Sequence, residues 1–159
     1  MRIALIVAVV VALLVLGAGQ LGLFKGQMPD DLGVRDGRLK PPSRTENSVG
    51  SQAALYDGDG ARYAAIEPLR YSGDGAAALT KIGRIAMAMP GARIMQSGPD
   101  YLYVQFHTRW LKFVDDAEFW VDPAGGVIHV RSASRLGRKD FGVNRARIEA
   151  IRAQMAAAQ

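Results

Sequence analysis

Runs of apolar and polar positions divide the chain into segments of different kinds. Every residue from Ile3 to Leu16 is apolar, and the character continues to Phe24 with Gln20 as the single polar interruption. A helix rising about 1.5 Å per residue crosses the roughly 30 Å hydrocarbon core in about 20 residues. Ile3–Phe24 supplies 22, so the spacing predicts a transmembrane anchor over residues 1–24. A cleaved signal peptide is the rival, with Gly17 and Gly19 at the small-residue cleavage positions. Leu21, Leu23 and Phe24 prolong the run past that cut and favour retention.

Residues 25–61 show no sustained period of 2 or 3.6 and carry Pro29, Pro41 and Pro42, which reads as tether and wrapping segment. Asp57-Gly58-Asp59-Gly60 has the composition of a calcium loop without its offsets and reads as a turn. Residues 62–159 form the expected folded domain. In it, Leu79, Ile82, Ile85 or Ala86, and Met89 recur at helical spacing behind a cap at Asp74 or Ser72, with Pro90-Gly91 as the stop, predicting a helix over 75–89. The period then changes to 2. Leu102, Val104, Phe106, Thr108 and Trp110 fall on one face of a strand, and Tyr101, Tyr103, Gln105, His107 and Arg109 on the other.

Further strands are expected over Phe113–Asp122 and Val127–Arg135, joined by a five-residue connection, and a closing helix from about Val143 carries Ile148, Ile151 and Met155 on its apolar stripe. The predicted fold is α+β: an antiparallel sheet of three to four strands with two helices packed on one face, the other face partly wet. If the domain serves only as a structural partner for other proteins, Tyr101, Tyr103 and Trp120 on that outer face are its expected contact surface.

Composition narrows the chemistry. With no cysteine, the chain has no disulfide, thiolate nucleophile, thiolate metal site or lipid-modified cysteine. Two histidines leave little for a metal centre, and neither cofactor nor metal is expected. The charge is concentrated: Val130–Arg152 holds seven basic residues and two acids, equal to the whole net charge of +5.

Three readings compete for this region. In the first, Asp115, Asp116 and Glu118 on one strand pair with the arginines of the next strand and helix; Asp116 and Glu118 share a face, as do Arg131 and Arg135, and arginine forks suit carboxylates. In the second, Ser132, Ser134 and Arg135 lead through Arg138 into a helix N-terminus near Asn144, Arg145 and Arg147, an anion site for a phosphate-bearing small molecule or a lipid headgroup. Export, more than charge, argues against nucleic acid.

The third reading is a hydrolase. It must combine Ser132 or Ser134 with His129 and a carboxylate, without a Gly-x-Ser-x-Gly elbow, and Asp115 and Asp116 as neighbours on a strand point to opposite faces. His107, His129 and Asp116 as a metal set have no supporting spacing.

Phe113-Val114-Asp115-Asp116-Ala117-Glu118-Phe119, then Val130-Arg131-Ser132-Ala133-Ser134-Arg135-Leu136-Gly137, then Asp140-x-Gly142-Val143-Asn144-Arg145-x-Arg147-Ile148-Glu149 stand in order. In these blocks the chain resembles the domain of unknown function 1499 family. Leu39-x-Pro41 and Asn47-Ser48-Val49-x-Ser51 resemble its N-terminal motif, so the resemblance covers about Leu39 to Arg152. Pro42 and Ser48 stand where many members carry cysteines, so no disulfide or metal role transfers to those positions.

The resemblance implies a small exported or membrane-tethered domain and supplies no activity. The expected protein is a single-pass protein of a bacterial inner membrane whose periplasmic domain is a binding or scaffold module; with the leader cleaved, it is a free periplasmic protein.

Overall fold

A computed structural model describes residues 1–157. Helix α1 (Arg2–Gln20) has a mean hydropathy of 2.7 over its best window, of which 6% is buried. It is apolar on every side and its side chains are exposed almost throughout, because α1 meets the folded domain only at its C-terminal end.

The domain is α+β. Strands β1 (Ser48–Gly50), β2 (Leu69–Arg70), β3 (Ala92–Ser97), β4 (Tyr101–His107), β5 (Val114–Asp122) and β6 (Val127–Ser134) form one antiparallel sheet, ordered β1-β6-β5-β4-β3. β2 pairs with the start of β6 and β1 with its end, so two short strands share one edge. The sheet therefore has six strands, not three to four. β1 and β2 are too short to show a period, and β3 is an exposed edge strand with a bulge near Met95 that breaks its alternation. β4 stops at His107, short of Trp110, because Thr108 N–H turns to Phe113 O and the Thr108 hydroxyl accepts Phe113 N–H.

Helices α3 (Gly75–Met87) and α4 (Val143–Ala157) cover one face of the sheet. Asp74 caps α3 by accepting the N–H groups of Ala76 and Ala77. Leu79, Ile82, Ile148 and Ile151 pack on Leu102, Val104, Phe119, Ile128 and Val130 to form the main core. A short helix α2 (Asp59–Ala64) follows Gly58, which sits at φ 102° as its N-cap, so the Asp57–Gly60 stretch begins a helix instead of forming an isolated turn. At Gly60 a side chain would strike the Ser43 carbonyl, 2.3 Å from an ideal Cβ, which fixes the chain of residues 43–44 against α2.

The outer face of the sheet is not wet. Leu32, Val34 and Leu39 fold back over it and pack on Tyr101, Tyr103 and Trp120. Tyr101 and Tyr103 are 8% and 4% exposed, so they are core residues here and not the open aromatic surface that alternation alone predicts.

Candidate functional site

Residues 115 to 118 alternate across the sheet, and their charges enter two separate networks. On the outer face, register places Gln105 beside Asp116 and Glu118 beside Arg131. Arg135 reaches Asp116 with two parallel bonds, Nε to Oδ2 and Nη2 to Oδ1, both 2.7 Å. The Tyr103 hydroxyl donates to Asp116 Oδ1 at 2.5 Å and accepts from Gln105 Nε2 at 2.7 Å. Burial, followed by this bond to a carboxylate, pushes the Tyr103 hydroxyl up to about 12.

One step along the same face, Glu118 is fully buried and accepts the Tyr101 hydroxyl at 2.8 Å and the Gly33 amide at 2.7 Å, both on Oε1. Its Oε2 faces Arg131 at 3.5 Å without a hydrogen bond. Arg131 also points its Nε at Pro41 O, 3.4 Å away. Burial holds the Arg131 guanidinium below its usual range, opposed by the Glu118 charge. The irregular cover, residues 31–41, thus closes this ladder with main-chain groups as well as side chains.

The second network lies on the helix side. Arg147 of α4 donates to Asp115 at 2.7 Å and lies over the Phe106 ring, 4.3 Å from its centroid. Asn144, fully buried, is its hub: Oδ1 accepts from Ser132 at 2.5 Å and Arg147 at 2.9 Å, and Nδ2 donates to Ser134 at 3.0 Å and Asp140 at 2.9 Å. Asp140 caps α4 by accepting the amides of Gly142 and Asn144 at 3.0 and 3.1 Å, and it also takes the Tyr63 hydroxyl at 2.8 Å. Burial pushes this carboxyl up, but the bonds from Gly142, Asn144 and Tyr63 outweigh it and hold it below the usual carboxylate range. The α4 N-terminus therefore carries its own anion.

A model of the family described as protein of unknown function (DUF1499) matches residues 38–155. The chain belongs to this family. No match was found among the curated proteins or the solved structures.

The DUF1499 domain brings nine of the ten cluster residues into internal contacts. Asp116, Arg131 and Arg135 are in the outer ladder; Asp115, Ser132, Ser134, Asn144 and Arg147 are in the helix-side network. Arg145 joins neither, and instead bonds the carbonyls of Tyr63 and Ala65 at 2.5 and 2.9 Å. Arg138 is exposed and, among the described residues, makes no side-chain bond or ion pair.

Ser132 and Ser134 face α4, while His129 is on the opposite face with its ring stacked on Trp120 at 5.6 Å. The hydroxyl beside His129 Nδ1 is that of Ser51, 3.0 Å away, and His129 Nε2 lies 3.6 Å from Asp122. This Ser–His–Asp row is occupied in holding β1 to β6. The Ser51 hydroxyl accepts Val130 N–H at 2.9 Å and the Ser51 amide is bound to Val130 O at 2.9 Å, so that amide is not available to a developing oxyanion. His107 lies across from Val114, apart from His129, and among the described residues no His/Asp/Glu group of three is arranged for a metal.

The sequence reading omits Asn47, Asp140, Tyr101 and Tyr103 from the cluster. Asn47 Nδ2 donates to Gly137 O at 2.7 Å and fixes the loop before α4. Its signal was its position in the Asn47–Ser51 motif. Asp140 was readable as an acid at a helix start, two residues before Gly142, and the tyrosines were legible only as members of a period-2 face.

Proposed function

We propose that this DUF1499 protein is a membrane-anchored module of the cell envelope whose exported domain acts by presenting a surface to a ligand or partner, with the charged signature as its internal frame. The observation that carries this reading is the junction between anchor and domain. α1 is apolar on all sides, and its last turn ends on the domain itself: Gln20 Nε2 donates to Trp110 O at 2.6 Å. A side chain at position 19 would stand 2.8 Å from Leu111 Cα, a contact that glycine alone permits without movement. The domain is thus seated at the end of the helix.

Arg2 and the terminal amine favour a cytoplasmic N-terminus, with Lys25 opposing them on the far flank; on this reading the domain is outside the cytoplasm, in the periplasm of a bacterial cell. An anionic ligand or lipid headgroup fits Arg138, whose charge is not consumed internally, better than it fits the paired arginines.

The test is extraction and topology of the full chain. It should remain with membranes after alkaline washing, and a C-terminal reporter active only outside the cytoplasm should be on. Release by alkali, or a silent reporter beside an active cytoplasmic one, would overturn the reading.

A further inference from the structure

We propose that the end of the sheet next to α1 is a membrane-facing surface that rests on anionic headgroups, with Trp110 and Phe141 in the interface. This rests on the anchored reading above and adds an orientation to it. Two loops form this end: residues 108–113 between β4 and β5, and residues 135–142 between β6 and α4. They are neighbours, because Arg135 N–H donates to Val114 O at 3.0 Å where β5 begins. The chain leaving α1 runs past both. Phe24 stacks on Phe113 with centroids 5.5 Å apart, and an added side chain at Gly26 would meet Arg135 Cβ at 2.8 Å and Leu136 Cγ at 3.1 Å.

The side chains here are unlike those of an ordinary water-facing loop. Trp110 is 60% exposed, Phe141 92%, and Leu136 and Val143 are also exposed. Phe141 holds a backbone φ of 53° and Lys112 one of 59°, conformations side-chain-bearing residues seldom adopt. A bare phenyl ring in that position contributes nothing to the core, yet the Asp140 cap and Asn47 fix its loop rigidly.

Cations stand beside these rings along the chain: Lys25 follows Phe24, Arg109 and Lys112 flank Trp110, and Arg138 and Lys139 precede Phe141. Glu46 partners Lys139 at 3.0 Å, and Arg109 lies over the Trp110 ring at 4.8 Å. The field is felt at His107, which burial, then Arg93, Arg135, Lys25 and Lys112, hold below its usual range. Aromatic rings flanked by lysine and arginine are the composition that settles at a bilayer interface, and basic residues within a Debye length are drawn to anionic lipid. Because α1 delivers this end of the domain to the bilayer, the occupant is the membrane in which the chain is already held.

The experiment uses the full chain in vesicles of phosphatidylcholine with and without phosphatidylglycerol. Trp110→Phe and Trp120→Phe are combined with Phe141→Trp, so that one indole reports from the loop farther from the helix. Flotation with vesicles reads the anchor, and far-UV circular dichroism reads the fold. With the anionic lipid present, acyl chains brominated near the headgroup should quench the indole at position 141 and its emission should shift to the blue. Adding Arg138→Glu and Lys139→Glu should remove most of both effects and leave flotation unchanged.

A folded chain that floats without quenching of that indole overturns the footprint and leaves the anchor standing. Failure to float overturns the anchor, and the footprint with it. Flotation without quenching, but with cross-links from position 141 to another protein, would reassign the surface to a protein partner and equally overturn the proposal.

Discussion

The two faces of the sheet handle the same chemical problem, carboxylates and guanidiniums out of water, in different ways. On the helix side, Asp115 and Arg147 lie at the margin of the apolar core, joined through Asn144 to a capped helix end, and no buried polar side-chain atom of this network among the described residues lacks a hydrogen-bond partner. On the outer side, charges sit in the middle of the sheet under an irregular cover, and pairing is uneven. Asp116 and Arg135 make two bonds of 2.7 Å, while Glu118 Oε2 and Arg131 stay 3.5 Å apart with no hydrogen bond. Close, bidentate pairing compensates desolvation far better than charge proximity does. By geometry, the helix-side network and the Asp116–Arg135 pair are the better compensated parts of the frame, and the Glu118–Arg131 step is where it is weakest relative to its burial.

The largest expected effect follows from breaking the good pair. Asp116→Ala leaves Arg135 and the Tyr103 hydroxyl without their acceptor in a buried setting, and should cost about 3–5 kcal/mol, read as a lowered urea midpoint. A loss below about 1 kcal/mol would place the pair in the class of exposed ion pairs and break the comparison. Next is Asn144→Ala on the helix side. It takes one partner each from Ser132, Ser134 and Arg147, but Arg147 keeps Asp115 and its contact with Ser132; at about 1–3 kcal/mol per group left unsatisfied, the total should be smaller than for Asp116→Ala. Replacing Glu118 by Gln and Arg131 by Met together should be close to neutral, because both desolvated charges leave at once and the glutamine oxygen still accepts from Tyr101 and Gly33. If that double variant fails as badly as Asp116→Ala, the 3.5 Å contact is stronger than its geometry shows.

These contrasts were only partly legible in the sequence. The strict period of 2 through Asp116, Glu118, Arg131 and Arg135 assigned them to one face, and the same rule separated Asp115 from Asp116. Periodicity says which residues share a face but not what lies over it. Residues 31–41 have no period at all, so the burial of Tyr101 and Tyr103 under Leu32, Val34 and Leu39 was invisible. β3 escaped for a related reason: as an edge strand, with Ile94 and Met95 exposed and a bulge between Ile94 and Gln96, it does not alternate. The pairing of His129 with Ser51 spans 78 residues and carries no local signal.

The effect at the cap is small as well, and its pH dependence gives it a signature. Asp140→Ala removes the acceptor for Gly142 and Asn144 and should cost about 1–2 kcal/mol at neutral pH. The folded state holds this carboxyl below its unfolded value. Its contribution is therefore fully present above the unfolded value near 4, and it is lost as pH falls through the lower, folded value, where the unfolded chain binds the proton first. His107 and His129 are also held low, chiefly by burial, but their unfolded value is near 6.5, so their share of acid destabilisation starts at higher pH. Stability measured by urea unfolding should decline in two stages on acidification. Asp140→Asn, which keeps a capping oxygen but cannot titrate, should remove part of the lower stage and leave the upper one intact. An unchanged slope below pH 4 in that variant would mean that the bonds from Gly142, Asn144 and Tyr63 do not hold the carboxylate as the geometry implies. The helix-side network would then lose the feature that most distinguishes it from the ladder on the other face, a fully bonded ionised group at its end.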